Sequence, residues 1–312
     1  MIFAAVDIGA NTLRLLVSDV SGQGARPLRY EREITRLGAG VRESGLLGKT
    51  PLEKSLSALS GFAEIIRRAG AVRTWCVGTS ALREAGNARD FVERARLETG
   101  LEVEIVDGER EAGLTARGVI SAIERPGEFL IMDIGGGSTE FVYSTGGTSG
   151  IGHLTVPVGV VKLAEAHMHS DPPSEKELEA LREEARGVSD ILKGKMGGGS
   201  KEGARFVGTA GTATTLAAID LGLERFDAAR VHNRLIPLER LDEMASSLCS
   251  MPASKRAGVK GLEPQRADLI IPGIILTISV MRAFSFPEIL ISSAGLLEGM
   301  VEELYERTVR RQ

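Results

Sequence analysis

Apolar and polar positions alternate on both sides of a short polar loop at the start of the chain. Ile2-Phe3-Ala4-Ala5-Val6 runs into Asp7-Ile8-Gly9-Ala10-Asn11-Thr12, and residues 13–17 lead away. That pattern predicts two antiparallel strands joined by a glycine-containing turn. Thr50-Pro51-Leu52-Glu53 then carries helix-start chemistry: threonine as N-cap, proline at the first helical position, glutamate at the third. Leu56, Leu59, Phe62, Ile65 and Ile66 follow at helical spacing and predict one buried face. Residues 72–77 read as a strand, Gly78-Thr79-Ser80 as a polar turn, residues 90–99 as a helix and residues 103–106 as a strand.

The second half restarts the same programme. Residues 129–132 predict a strand, Asp133-Ile134-Gly135-Gly136-Gly137-Ser138-Thr139 a loop, and residues 140–143 the returning strand. Asp7-Ile8-Gly9 lies over Asp133-Ile134-Gly135, and agreement in strand, loop and strand predicts two related domains. A third glycine-rich turn, Gly208-Thr209-Ala210-Gly211-Thr212, follows a strand at 205–207 and opens a helical run at 213–219. Ser174-Glu175-Lys176-Glu177 is a capping box that starts a helix to about residue 192. Residues 194–203 are glycine-rich, have no flanking strand, and read as a surface loop. Gly48-Lys49-Thr50 lacks the earlier glycine of a nucleotide P-loop, since Glu43 stands in its place, and is rejected.

Bulk properties narrow the function. With 312 residues, two domains are expected, and 43% hydrophobic content supplies a core. A net charge of −4 argues against broad binding to nucleic acid or to an anionic membrane. Any polyanion must therefore meet a local basic patch. Cys76 and Cys249 form no CxxC pair, which suits a reducing compartment. The most apolar stretch, residues 269–281, contains Pro272 and Gly273 and falls short of the roughly 20 residues of a membrane span. A cytoplasmic protein is expected. His167 and His169 are two apart and have no partner set for zinc.

The two Asp-Ile-Gly loops join strand to strand, unlike the strand-to-helix glycine loop of dinucleotide sites. Backbone N–H groups at such a tip form a concave anion nest. The glycines admit phosphate oxygens, and Thr12, Ser138 and Thr139 add hydroxyl donors. Asp7 and Asp133 each end a strand and suit a hard cation with oxygen ligands.

This pattern resembles the actin, hexokinase and Hsp70 superfamily, and within it the exopolyphosphatase and guanosine pentaphosphate phosphohydrolase (Ppx/GppA) family in a short two-domain form. The resemblance rests on residues 7–12 with Arg14, Thr79-Ser80-Ala81-Leu82-Arg83-Glu84-Ala85 with Asn87, and Gly108-Glu109-Arg110-Glu111-Ala112. It continues through Asp133–Glu140, the turn at 208–212, Arg266-Ala267-Asp268 and Gly295-Leu296-Leu297-Glu298-Gly299. It implies an α/β fold of two related actin-like (ribonuclease H-like) domains, with mixed sheets flanking an interdomain cleft. The first would span 1–118, with a helix at 300–312 packing back on it, and the second 119–299.

By the same resemblance Glu111 is the catalytic carboxylate and Glu140 the second acidic residue. Asn11, Thr12, Arg14, Ser80, Arg83, Gly135, Gly136, Gly137, Ser138, Thr139, Gly208, Gly211, Thr212 and Arg266 are expected to bind substrate. Asp7, Asp133 and Glu140 are expected to hold Mg²⁺ or another divalent cation, because like charges gathered together repel without one. The expected substrate is inorganic polyphosphate, losing its terminal phosphate to water. Guanosine pentaphosphate is the alternative substrate, and a non-catalytic alarmone or nucleotide sensor ranks below both. A small-molecule kinase is a further alternative, but no acceptor motif supports it. A homodimer is compatible with these features. The sequence departs from the family pattern at Ala10, where serine is usual, and at Gly113 and Leu297, where arginine is common.

Overall fold

In the computed structural model, which describes residues 1–21, 24–123, 127–144, 151–196 and 203–309, the opening alternation forms β1 (Ile2–Ile8) and β2 (Thr12–Ser21). They pair antiparallel with Asp7 opposite Arg14. β3 (Gly24–Ile34) extends the hairpin, while β4 (Arg73–Gly78) and β5 (Val103–Ile105) add parallel strands beyond β1. The order is β3-β2-β1-β4-β5. β3 has no apolar alternation, so periodicity does not announce it. It is mostly exposed, and Pro27 with its run of charged residues suits an edge that must not pair further.

The chain divides into two compact units, Met1–Ser121 with Gly295–Gln312, and Ala122–Ala294. In the first unit, β1 is covered on both faces. Ala4, Val6 and Ile8 join a core with Leu56, Leu59 and Phe62 of the helix Lys49–Ala69. Phe3 and Ala5 join another with Leu114, Leu297 and Met300. A strand buried on both faces reads as an unbroken apolar run, as residues 2–6 do. The last helix, Leu296–Val309, therefore belongs to this unit's second layer, where Arg307 lies over the Trp75 ring at 4.7 Å.

The second unit repeats the arrangement. β6 (Phe129–Ile134) and β7 (Thr139–Ser144) form the hairpin, β8 (Ile151–Val156) extends it, and β9 (Arg205–Thr209) lies parallel to β6. β10 (Leu235–Pro237) and β11 (Glu288–Ile291) complete the order β10-β11-β9-β6-β7-β8. The two turns match in detail. Gly9 N–H donates to Thr12 O at 3.1 Å and Gly135 N–H to Ser138 O at 2.9 Å. A Cβ on Gly9 would stand 2.9 Å from Thr12 O, and one on Gly135 would stand 3.0 Å from Ser138 O, so both turns exclude a side chain.

Two helix starts differ from their sequence signals. The helix Lys49–Ala69 takes Gly48 as its N-cap, so Thr50 and Pro51 sit inside the first turn, where proline is tolerated because those N–H groups have no helical partner. The helix Ala210–Asp220 likewise begins before the run expected from residue 213. The capping box at Ser174 forms as read, with Ser174 N–H donating to Glu177 Oε2 at 2.7 Å, and its helix runs over Glu175–Met196. Residues 194–196 of the expected surface loop thus close that helix, and residues 197–202 lie outside those described.

In the first unit the helices Gly108–Ala122 and Leu296–Val309 meet backbone to backbone. A Cβ on Gly118 would stand 2.0 Å from Gly295 O, and one on Gly299 would stand 1.9 Å from Leu114 O. Only a hydrogen fits at either position. Gly299→Ala is expected to destabilise the protein by about 1–3 kcal/mol or more in urea unfolding. Gly113→Ala, at an exposed helical site with nothing within 4 Å of the added carbon, should stabilise by ~0.5–1 kcal/mol.

Candidate active site

In the first unit the end of β1 gathers three segments. Thr79 N–H donates to Ile8 O at 3.2 Å, which brings the short helix Ser80–Glu84 against the first turn. Behind the turn, Thr35 and Arg36 N–H groups both donate to Asn11 O, at 3.1 and 3.0 Å, and Gly38 N–H donates to Ala10 O at 2.7 Å. A Cβ on Gly38 would lie 2.7 Å from the Ala10 methyl, so the strap at 35–38 occupies the space beside the residue where the family usually has serine. The Asn11 Oδ1 atom is buried with no hydrogen-bond partner among the described residues, and its Nδ2 donates to Thr12 Oγ1 at 3.3 Å.

Charge is neutralised locally here. Asp7 is 3% exposed and takes Arg14 Nε at 2.8 Å and Arg14 Nη2 at 2.6 Å, so the arginine expected on phosphate is engaged by the aspartate expected on metal. Glu111, 9% exposed, lies in the first turn of its helix, where the N-terminal end of the dipole favours a carboxylate. Arg83 Nη1 donates to Glu111 Oε2 at 2.6 Å and to Val106 O at 3.0 Å. The guanidinium thus ties the carboxylate to the end of the sheet. Ser80 is buried at the start of its helix. Asn87 is structural, exchanging hydrogen bonds of 2.8 and 3.1 Å with the Leu47 backbone. Glu298, quoted above without a role, accepts Gly295 N–H at 2.7 Å. Burial pushes its carboxyl above the usual range, against the backbone N–H groups of Gly295 and Glu298 and the weaker pull of Arg14.

In the second unit Asp133 and Glu140 stand directly opposite each other across β6 and β7, at 8% and 2% exposure. Ser138 Oγ donates to Glu140 Oε1 at 2.5 Å and Thr139 Oγ1 to Val158 O at 2.7 Å. These two hydroxyls, expected on phosphate, therefore donate their hydrogen bonds to the protein. Val160 and Val161 N–H groups hold Gly135 O and Gly136 O at 3.0 and 2.9 Å, so the segment after β8 backs the glycine loop.

The third turn is a strand-to-helix junction. The helix Ala210–Asp220 starts with Ala210 in the left-handed region, at φ 60°. A Cβ on Gly211 would lie 2.3 Å from Arg266 Nη1, so the guanidinium rests on that glycine, while its Nε donates to Glu263 Oε2 at 3.1 Å. Gly208 and Thr212 serve packing: the space beside Gly208 is filled by Ile289 Cδ1, and Thr212 Cγ2 fills the space beside Gly273. The fully buried Arg256 holds the turn bearing Arg266 from below, its Nε donating to Ala267 O at 2.8 Å.

Among the described residues, no three or more His, Cys, Asp or Glu side chains are gathered as a metal set. Of the expected trio, Asp7 belongs to the first unit and is paired with Arg14, and Asp133 and Glu140 face each other in the second. That facing pair of buried oxygens has the donor chemistry of a hard divalent cation. His232 is structural, its Nδ1 accepting Ser293 N–H at 3.2 Å and its Nε2 lying 3.1 Å from Ala122 O. No described helix is long and apolar enough to cross a membrane.

Two mixed sheets, each opened by a hairpin with a carboxylate before its glycine turn, define an actin-like two-domain phosphate-handling protein. Residues 16–308 match the Ppx/GppA phosphatase family, and the chain belongs to it. It is 33% identical over 317 aligned positions to exopolyphosphatase 2 of Mycobacterium tuberculosis, covering 96% of this chain and 98% of that one. It is 26% identical to guanosine-5'-triphosphate,3'-diphosphate pyrophosphatase of Photobacterium profundum, covering 98% of this chain and 60% of that one. Among solved structures, an exopolyphosphatase from Cytophaga hutchinsonii superposes with a TM-score of 0.89 at 26% identity, covering 98% of each chain.

The contact of Arg266 with Gly211 is open to a direct check. Gly211→Ala should cost at most ~1 kcal/mol in chemical denaturation, because the new methyl must displace the end of a flexible side chain, the Arg266 guanidinium. In an Arg266→Ala background the same change should cost much less, and additivity of the two would contradict the contact.

Proposed function

We propose that this chain is an exopolyphosphatase, a cytoplasmic phosphoric anhydride hydrolase that releases the terminal phosphate of inorganic polyphosphate. The observation that carries this is Glu111, a buried carboxylate fixed by Arg83 in a chain of a phosphatase family. Water attacks the terminal phosphorus, the anhydride bond to the next phosphate breaks, and the water proton passes to Glu111. The resemblance of its motif to the family's gives Glu111 the role of general base, and the hydrogen bond from Arg83 fixes its orientation. Hydrogen-bond donors must meet the charge on the phosphate oxygens. The glycine loops at 9–12 and 135–139 supply backbone N–H groups, and Arg266 supplies a guanidinium able to bind oxygens bidentately. Asp133 and Glu140 would hold Mg²⁺, whose charge would offset that of the polyphosphate.

A second reading has the same residues remove the terminal 5′ phosphate of guanosine pentaphosphate; it ranks below the first, since the Photobacterium relative is 26% identical and the exopolyphosphatase relative 33%. Phosphate release from polyphosphates of defined length, beside guanosine pentaphosphate, separates the two. Faster release from polyphosphate is expected. Activity should disappear in excess EDTA and return with Mg²⁺, whereas full activity in chelator after metal removal would contradict the metal assignment.

Glu111→Gln keeps the shape of the side chain and removes the base. Its kcat should fall by ~10²–10⁴-fold while KM moves little. Glu109→Gln, at an exposed position on the same turn, should leave both unchanged. Arg83→Ala should lower kcat about tenfold or more, since the base loses the hydrogen bond that aims it.

A further inference from the structure

Antiparallel pairing places directly opposite residues on the same face of a sheet, with Cβ atoms about 4.5–5.5 Å apart. In the second unit Asp133 on β6 faces Glu140 on β7, and Glu140 in turn faces Thr155 on β8. The three side chains therefore form one row across three strands. The residues next to them in sequence, Met132 and Phe141, lie in the hydrophobic core, and Leu154 packs against it. The row is thus on the face away from that core, at the edge of the sheet that carries the glycine loop.

Thr155 is the member of this row that neither the sequence motifs nor the site as described accounts for. Its Oγ1 is buried and finds no hydrogen-bond partner among the described residues. A buried hydroxyl without a partner is unfavourable, and its neighbour in the row is a carboxylate, the strongest kind of acceptor available to it. β8 is also held firmly where Thr155 sits. The next segment is hooked to the glycine loop through Thr139 Oγ1 to Val158 O and through Val160 N–H to Gly135 O, at 2.7 and 3.0 Å. A side chain on so fixed a strand can direct its neighbour.

We infer that Thr155 is a positioning residue for Glu140: when substrate phosphate occupies the glycine loop, the Thr155 hydroxyl donates a hydrogen bond to the Glu140 carboxylate. Ser138 already holds Oε1 of that carboxylate, and a second donor from the outer strand fixes its plane. The inference rests on the phosphohydrolase reading given above. Thr155 does not touch the reacting atoms, and its effect passes through Glu140 alone.

Three variants test it by steady-state hydrolysis of polyphosphate with thermal unfolding in parallel. Thr155→Val keeps the shape and removes the donor, so kcat should fall about 10- to 100-fold, as for a lost hydrogen bond to a charged group, with KM nearly constant. Thr155→Ser restores a hydroxyl and should recover most of kcat. The melting temperature of Thr155→Val should not fall, because no hydrogen bond made in the free protein is lost, and this separates positioning from a structural role. A Thr155→Val enzyme with wild-type kcat, beside a Glu140→Gln enzyme that has lost it, would overturn the inference and leave the hydrolase reading intact. A lowered melting temperature in Thr155→Val, or a Thr155→Ser enzyme as slow as Thr155→Val, would also overturn it. Wild-type protein that releases no phosphate from polyphosphate or guanosine pentaphosphate would overturn both.

Discussion

A carboxylate taken out of water must be met by an opposite charge or by hydrogen-bond donors, or it costs several kcal/mol. Among the described residues, Asp7, Glu111, Asp133 and Glu140 are each 9% exposed or less. Their partners set much of the local structure. Arg14 is placed opposite Asp7 by the register of the first hairpin. Arg83 reaches Glu111 from a short helix that Thr79 docks on the end of β1. Ser138 turns inward to Glu140. For these three the partner comes from residues beside a strand end, so the fold and the charge compensation are one arrangement.

The glycines follow from the same constraint. A turn that must bring backbone N–H groups close to a phosphate cannot also carry side chains, and the turns at Gly9 and Gly135 exclude a Cβ by nearly equal distances. The hydroxyls around them have other work. Ser138 and Thr139 are committed to protein acceptors, so in the proposed mechanism anion binding falls to the backbone and to Arg266, which rests on Gly211. Thr155 completes the acidic row of the second hairpin from its third strand.

Both hairpins and the long helix at Lys49–Ala69 were legible because their signals are local: alternation, an Asp-Ile-Gly turn and a helical apolar stripe. β3 and β8 were not, since a mostly exposed edge strand and a half-buried one lack the alternation that burial on one face imposes. Most of the motif residues lie beside strand ends in the two units. Their pairing was not legible, because it depends on register. Nothing in the sequence indicates that Arg14 would be engaged by Asp7, that Arg83 would hold Glu111, or that Thr155 would stand beside Glu140. The Asn87 side chain belongs to the same class: it is quoted as part of a motif, yet it braces the Leu47 backbone.

Glu111-assisted attack of water on the terminal phosphorus predicts where the oxygen of water ends up. Hydrolysis of polyphosphate in oxygen-18 water, read by mass spectrometry of both products, follows that atom directly. One labelled oxygen should appear in each released orthophosphate and none in the shortened chain. Label in the chain would place the attack on the penultimate phosphorus, and unlabelled orthophosphate would mean that water is not the nucleophile at the terminal one; either result contradicts the mechanism.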